Sequence, residues 1–270
     1  MPEFTSHPIL SSIVIVAAIY FWFSQPFQSD TVNYHPINDQ LQMESKLNAI
    51  VIGASGEVGK AIVKELVKRS QFAKVTLIVR RELDLPSSET DENYRKIEQK
   101  LVDYEKLSES VDAFKGHQVG FSALGTTRAK AGAAGFYRVD HDYVVESAKL
   151  AKEGGCKHFH LVSSGGANKD SHFLYMKTKG QADHDVSELG FDRLSIYRPG
   201  LLLVDRVEHR TLEPILQAVA KFIDFGRWFS IEVPLLSKAI VDNCFRPKTG
   251  DSNVEIVSNG DLNKMGKESA

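Results

Sequence analysis

Short apolar runs alternate with amphipathic segments along most of the chain. Leu47–Ile52 is mostly apolar and ends at a glycine, as expected for a strand that is covered on both faces of a parallel sheet. The next segment, Glu57–Arg69, has apolar residues at the spacing of one helix face. The same alternation predicts further elements, which are strands at Lys74–Val79, Ile97–Val102, Val119–Leu124, His158–Val162 and Leu194–Tyr197, and helices at Ala133–Lys152 and Phe173–Leu189.

This order of elements predicts an α/β fold with a Rossmann-type doubly wound parallel sheet in a single domain. Strands that alternate with helices pair in parallel through right-handed crossovers. Beyond Arg198 the alternation weakens, but Thr211–Phe225 and Pro234–Phe245 have helical spacing and Val254–Val257 is a short apolar run. We expect this part of the chain to cover the carboxyl edge of the sheet and to shape a substrate pocket.

An uncharged apolar run, Ile9–Phe23, lies ahead of the first predicted strand. With its neighbours (residues 9–24) it approaches the roughly 17–25 residues that span a bilayer, and aromatic residues crowd its end as in an interfacial belt. The run therefore predicts an N-terminal hydrophobic helix that anchors the chain in a membrane. A cleaved signal peptide is a weaker alternative, because no Lys or Arg precedes the run. A buried helix is also weaker, because the Rossmann pattern begins far downstream.

The chain accordingly divides into a membrane-anchor segment (1–26), a polar linker (27–46) and an α/β domain (47–270).

Hydrophobic residues make up 42% and charged residues 25% of the 270 residues, an ordinary balance for a globular domain. A net charge of −2 gives no reason to expect binding to nucleic acid. Two cysteines, Cys156 and Cys244, without C-x-x-C or H-x-x-x-H spacing, predict a reduced compartment and no metal site.

A glycine-rich loop joins the first predicted strand to the first predicted helix. Gly53, Gly56 and Gly59 have the G-x-x-G-x-x-G spacing that lets the chain turn tightly, approach a pyrophosphate closely and pack helix against strand. The helix N-terminus then presents free N–H groups to the phosphates. A P-loop is excluded, because five residues separate Gly53 from Gly59 where that motif has four, and Ala61 replaces the required Ser or Thr.

The second predicted strand ends in two arginines, Arg80 and Arg81. A carboxylate at this point favours the ribose 2′-hydroxyl of NAD, whereas a guanidinium accommodates the 2′-phosphate of NADP. The pair therefore favours NADPH, with a solvated basic turn as the alternative. Asp103, which follows the third predicted strand, is a candidate for a hydrogen bond to the adenine, although an Asp at this position is also a common helix cap.

Tyr175 and Lys179 are four residues apart on a predicted helix, so their side chains share one face. A cation beside a tyrosine stabilises the tyrosinate and makes proton transfer at neutral pH feasible. Lys179 is also expected to hold the ribose hydroxyls of the nicotinamide. Ser163 or Ser164, at the end of the fifth predicted strand, would hold the substrate oxygen. The Y-x-x-x-K spacing alone is common on surface helices, so the prediction depends on its combination with the glycine loop.

Six stretches of the sequence from Leu47 onward resemble the Tat-interacting protein oxidoreductases, which are atypical members of the short-chain dehydrogenase/reductase superfamily. These stretches are GASGEVG, VTLIVRR, LGTTRAKAGAAGFYRVDHDY, GGCKHFHLVSS, FLYMKTKG and FDRLSIYRPGLLLVDR. The resemblance implies NADPH contacts at Ser55, Gly56, Glu57, Val58, Arg80, Arg81, Leu124, Gly125, Tyr175, Lys179, Leu202 and Arg210. Val58 replaces a Thr that is frequent in the family, and the segment SSGGAN replaces a more usual Ser-Ser-Lys-Gly-Ala.

The predicted function is the NADPH-dependent reduction of a small-molecule carbonyl substrate, with Tyr175 as acid–base and Lys179 and Ser163 assisting. A membrane tether would give such an enzyme access to lipophilic substrates. The domain is expected to face the cytosol, with the endoplasmic reticulum and the mitochondrial outer membrane as alternative locations. The alternative function is an NADPH-binding regulatory module that interacts with protein partners and has little or no turnover.

Overall fold

Seven parallel strands form the central sheet of the computed structural model, which describes residues 46–203, 229–248 and 250–268. In spatial order the strands are β3-β2-β1-β4-β5-β6-β9, and every neighbouring pair is parallel. Their bounds are β1 Leu47–Ile52, β2 Phe72–Val79, β3 Ile97–Leu101, β4 Val119–Ser122, β5 His158–Val162, β6 Arg193–Arg198 and β9 Val254–Ser258. A separate parallel pair consists of β7 (Leu201–Leu203) and β8 (Ser230–Glu232).

Helices cover both faces of this sheet. The α-helices are α1 Glu57–Lys68, α2 Arg128–Tyr137, α3 Tyr143–Glu153, α4 Leu174–Ser187, α5 Val233–Asp242 and α6 Asn259–Glu268. Ala49 and Val51 of β1 are buried in one hydrophobic core with α1 and α5, whereas Ile50 and Ile52 are buried in another with α3 and α4. This alternation along one strand explains why the strand sequences are almost continuously apolar, and it confirms the predicted α/β sheet.

The predicted strands are present with small shifts of their ends, but the long predicted helix Ala133–Lys152 is wrong in detail. Helical structure begins at Arg128, is interrupted at Gly132 (φ +70°), and passes through a π-helical turn at Arg138–Asp142 before α3 starts. In that turn the Tyr143 N–H bonds to the Arg138 carbonyl, five residues earlier. A π turn inserts one residue into the helical register, so it rotates the side chains of Arg138–Asp142 relative to a regular helix.

Several elements had no counterpart in the prediction. These are 3₁₀ helices at Glu92–Lys96 and Tyr104–Phe114, the β7–β8 pair and α6. The predicted anchor, nearly all of the linker and the predicted helix Thr211–Phe225 lie outside the described residues. Among the residues that are described, no helix is both long and apolar enough to cross a bilayer.

Two histidines lie inside the core beneath α5. His158 Nε2 is 2.8 Å from Ser195 Oγ, and His160 Nδ1 is 2.7 Å from the Tyr197 hydroxyl. Burial lowers the pKa of His158 to about 3 and holds the pKa of His160 well below its usual value, so both rings are neutral. The fold also brings Cys244 Sγ to 3.4 Å from His160 Nε2. In the described ranges no group of three His, Cys, Asp or Glu side chains could hold a metal ion.

The turn between β1 and α1 depends on two glycines for different reasons. Gly53 has φ +86°, in the left-handed region that favours glycine. Gly59 has no such φ, but a Cβ built on it would lie 2.1 Å from the Gly53 carbonyl oxygen. Gly56, by contrast, has φ −79°, and a Cβ there would approach the same oxygen no closer than 3.6 Å. The fold therefore requires glycine at Gly53 and Gly59, and leaves Gly56 free for another role.

We expect Gly59→Ala to lower the free energy of unfolding by about 2 kcal/mol or more, because the backbone oxygen it meets has to move. The matched variant Gly56→Ala should stay within about 1 kcal/mol of the unmodified chain. Urea unfolding of both variants, followed by circular dichroism, measures the difference. Equal stabilities of the two variants would contradict this packing argument.

Candidate functional site

The predicted site residues that the structure describes gather at the carboxyl edge of the sheet. The glycine loop follows β1, and the other candidates follow β2, β3, β4 and β5 or lie on α4. Strand order reverses between β1 and β4, the place where ligands bind in open parallel sheets. The residues at this edge are Gly53, Ser55, Gly56, Glu57, Val58, Gly59, Arg80, Arg81, Asp103, Leu124, Gly125, Ser163, Tyr175 and Lys179.

The glycine loop presents backbone donors rather than side chains. Helix α1 starts at Glu57, and no side chain caps its N-terminus. Ser55 and Gly56 are exposed, whereas Val58 is buried in the core. The Val58 side chain therefore lies away from the loop surface, and only its N–H belongs to the anion-binding end of the helix. The exposed Gly56 and the uncapped N–H groups of α1 fit the pyrophosphate of a dinucleotide.

An open cleft of about 500 Å³ lies between the ends of β2 and β3. Arg80, Asp103, Tyr104 and Tyr143 line it. The Arg80 guanidinium makes no ion pair with any described residue and is exposed, as is that of Arg81, so both are available to an anionic group. Burial raises the pKa of Tyr104, and the charge of Arg80 acts in the opposite direction.

Asp103 has a structural role in this cleft. One carboxylate oxygen accepts a hydrogen bond from the Glu105 N–H at 2.9 Å and caps the 3₁₀ helix Tyr104–Phe114. The sequence analysis gave such a helix cap as the alternative to an adenine contact. Because Asp103 is exposed, the cap does not prevent a contact with an adenine, which stays a prediction.

Tyr175 and Lys179 lie on one face of α4, as predicted, but they have different partners. The Tyr175 ring stacks on Phe136 with centroids 5.7 Å apart, and the residue is 48% exposed. Lys179 is buried, and its Nζ is 2.8 Å from Asp140 Oδ1. The ammonium group is thus held by a carboxylate rather than by the tyrosine hydroxyl.

Asp140 was missed by the sequence reasoning. It lies in the π turn, is 1% exposed, and accepts a second hydrogen bond from the Thr126 N–H at 2.8 Å. A signal for it exists in the sequence. Phe136, Asp140 and Val144 are spaced four apart in a helical segment, so the carboxylate falls on the apolar, core-facing stripe. A charge at such a position requires a buried partner.

Ser163 lies at the carboxyl end of β5 with its backbone N–H bonded to the Tyr197 carbonyl at 2.8 Å. Its hydroxyl is buried and makes no short hydrogen bond within the described residues, although it lies close enough to the Asp183 carboxylate to lower the pKa of that group. The neighbouring carboxylate is that of Asp183, whose Oδ2 is paired with Arg198 at 2.9 Å. Burial raises the pKa of Asp183, while Ser163 and Arg198 oppose that effect. A buried hydroxyl that is held only weakly at this edge is suited to a substrate oxygen.

The last two predicted contacts lie after β6. Leu202 is in β7, and its side chain packs against the core that contains α1 and α5. Arg210 lies outside the described residues.

Comparisons with known proteins agree with this geometry. Residues 53–217 match the model of an NAD(P)H-binding family. The chain is 44% identical to the protein HTATIP2 of Rattus norvegicus, covering 86% of this chain and 94% of the relative. It is 37% identical to the mitochondrial protein FMP52 of Candida albicans, covering 81% and 98%. The solved structure of MoeE5 with UDP-glucose and NAD superposes with a TM-score of 0.57 at 14% identity, covering 82% and 81%, a likeness of fold alone.

The resemblance found in the sequence is thereby confirmed. The matched region begins at the glycine loop and extends past Tyr175 and Lys179, so it includes the described part of the site. The chain belongs to the HTATIP2-like family of atypical short-chain dehydrogenase/reductase proteins, with an NAD(P)H-binding Rossmann-type domain.

Proposed function

We propose that this protein reduces a small-molecule carbonyl compound with NADPH. One observation carries the proposal. Tyr175, Lys179 and the buried Ser163 hydroxyl lie at the sheet edge where the uncapped α1 N-terminus opens. Open parallel sheets bind their ligands at this edge.

The bound dinucleotide would supply a hydride to the carbonyl carbon. The Tyr175 hydroxyl donates the proton to the carbonyl oxygen, so that an alcohol leaves. The Ser163 hydroxyl donates a hydrogen bond to the same oxygen, and Lys179 holds the ribose hydroxyls and favours the tyrosinate. Because Tyr175 is 48% exposed, water can return its proton after each turnover.

Arg80 and Arg81 support NADPH as the cofactor. They follow β2, next to the cleft at the end of β3, and neither guanidinium is neutralised by a described carboxylate. A free arginine fork binds a phosphate strongly. A 2′-phosphate on the adenine ribose is the group that distinguishes NADPH from NADH.

A cofactor-dependent binding module is the second candidate. The observation that favours it is the ion pair of Lys179 with Asp140, which compensates the charge that a tyrosine acid–base needs. In this function NADPH would alter the affinity for a protein partner, and turnover would be slow or absent.

Tethering through residues 9–24 is part of the proposal. Its support is the uncharged run Ile9–Phe23 and the mitochondrial designation of the fungal relatives. The catalytic domain would then face the cytosol from an organelle membrane, where lipophilic carbonyl compounds and protein partners are both accessible.

Tyr175→Phe should lower the rate of carbonyl-dependent NADPH oxidation by about 10²–10⁴-fold, because the proton donor is lost. The NADPH dissociation constant should change little. Stopped-flow absorbance at 340 nm against a panel of aliphatic and aromatic carbonyls measures the rate, and fluorescence titration measures binding. Tyr94→Phe, in the 3₁₀ helix beside β3, is the matched control. Full turnover by Tyr175→Phe would exclude the mechanism.

Arg80→Ala should weaken NADPH binding by about tenfold or more, since a charge-assisted hydrogen bond contributes roughly 1.5–3 kcal/mol. NADH binding should change less than about threefold, because NADH has no 2′-phosphate. Isothermal titration with both dinucleotides compares the two effects. Arg95→Ala, an exposed arginine paired with Glu92, is the control. Equal losses for both dinucleotides would exclude this role for Arg80.

Deletion of Ile9–Phe23 should move the protein from the membrane pellet to the soluble fraction, because the uncharged run supplies the apolar area for insertion. Carbonate extraction of cells that express the full chain and the deletion measures this. Recovery of the full chain in the soluble fraction would contradict the tether.

A further inference from the structure

The buried carboxylate of Asp140 has no part in the proposed proton and hydride transfer, yet it is central to the site. Its Oδ1 pairs with Lys179 Nζ at 2.8 Å and its Oδ2 accepts the Thr126 N–H at 2.8 Å. Both oxygens are therefore engaged, one by α4 and one by the loop after β4. Asp140 itself is 1% exposed, so water does not replace either partner.

The ion pair lies directly beneath the exposed residue Gly125. A Cβ built on Gly125 would be 3.3 Å from Asp140 Oδ1 and 3.8 Å from Lys179 Nζ. Gly125 is one of the NADPH contacts that the family resemblance implies, so the pair lies next to a predicted cofactor contact. Asp140 thus holds the ammonium of Lys179, the group that we propose binds the ribose hydroxyls, next to Gly125.

Other charged groups near the pair are occupied by different partners. Asp183, one turn after Lys179 on α4, is paired with Arg198. In the π turn, His141 lies 2.9 Å from Asp142 and 2.9 Å from Asp185. Within the described residues, Asp140 is thus the carboxylate in ion-pair contact with Lys179.

We propose that Asp140 is the positioning residue for Lys179 and limits how much of the lysine's positive charge acts on Tyr175. The inference rests on the acid–base role proposed for Tyr175. A carboxylate 2.8 Å from the ammonium cancels most of its field at a hydroxyl one helical turn away, because the two opposite charges act together as a dipole. Removing the carboxylate charge exposes Tyr175 to the full cation and favours the tyrosinate.

The test is a pH titration of the full chain labelled with ¹³C at the tyrosine Cζ. The absence of one signal in Tyr175→Phe assigns the Tyr175 resonance among the eight tyrosines. In Asp140→Asn we expect the midpoint of this resonance to move to lower pH by about one unit, the size expected from one uncompensated charge nearby. Asp140→Ser, which leaves room for a water beside Lys179, should show the same shift and serves if the asparagine variant does not fold.

Asp242→Asn is the matched control. Asp242 is a buried carboxylate that pairs with Arg69 at 2.5 Å in the α1–α5 layer, on the opposite face of the sheet. Its removal should leave the Tyr175 midpoint in place. An unchanged midpoint in both Asp140 variants, or an equal shift in Asp242→Asn, would overturn the inference. The titration needs neither cofactor nor substrate, so a failure of the proposed reductase activity would be seen separately, in the NADPH oxidation assay.

Discussion

The Asp140 carboxylate is 1% exposed and pairs with the ammonium of Lys179, and this ion pair sets the geometry of the site. Loss of one partner of such a pair typically costs about 3–5 kcal/mol, because the other charge stays buried. The pair fixes α4 against the π turn, and the Thr126 N–H fixes the loop after β4 to the same carboxylate. Tyr175 lies one turn earlier on α4, so its position follows from that of Lys179.

The strands and the glycine loop were predictable because each depends on local chemistry. Two-sided burial produces apolar runs in β1 and β2, and the turn before α1 requires glycine at Gly53 and Gly59. The π turn was not predictable in this way. Its hydrogen bond from Tyr143 to Arg138 spans five residues, and apolar spacing at a period of 3.6 does not distinguish it from a regular helix.

The sequence predicted which residues form the site, but not which of their side chains pair with one another. Tyr175, Lys179 and Ser163 were found from their spacing, and the structure brings all three to one edge of the sheet. The spacing suggested that Lys179 serves Tyr175, whereas its ammonium contacts Asp140. Whether side chains of different elements pair depends on how α3 and α4 are aligned with each other. The sequence alone does not give that alignment. Asp140 was detectable only as a charge on an apolar stripe.

Two features bear on the choice between a reductase and a binding module. They are the Ser163 hydroxyl and the positive charge of Lys179, which is paired with Asp140. The Ser163 hydroxyl is buried at the carboxyl edge of the sheet, where it is placed to donate a hydrogen bond to a ligand oxygen. A module that only holds a dinucleotide gains nothing from this hydroxyl, because the phosphate loop and the two arginines lie at the ends of β1 and β2. The position of the Ser163 hydroxyl therefore supports the proposed chemistry on a substrate, and the Asp140–Lys179 pair is the contact that we propose restrains Tyr175 as an acid–base. A reductase with a moderated tyrosine satisfies both observations.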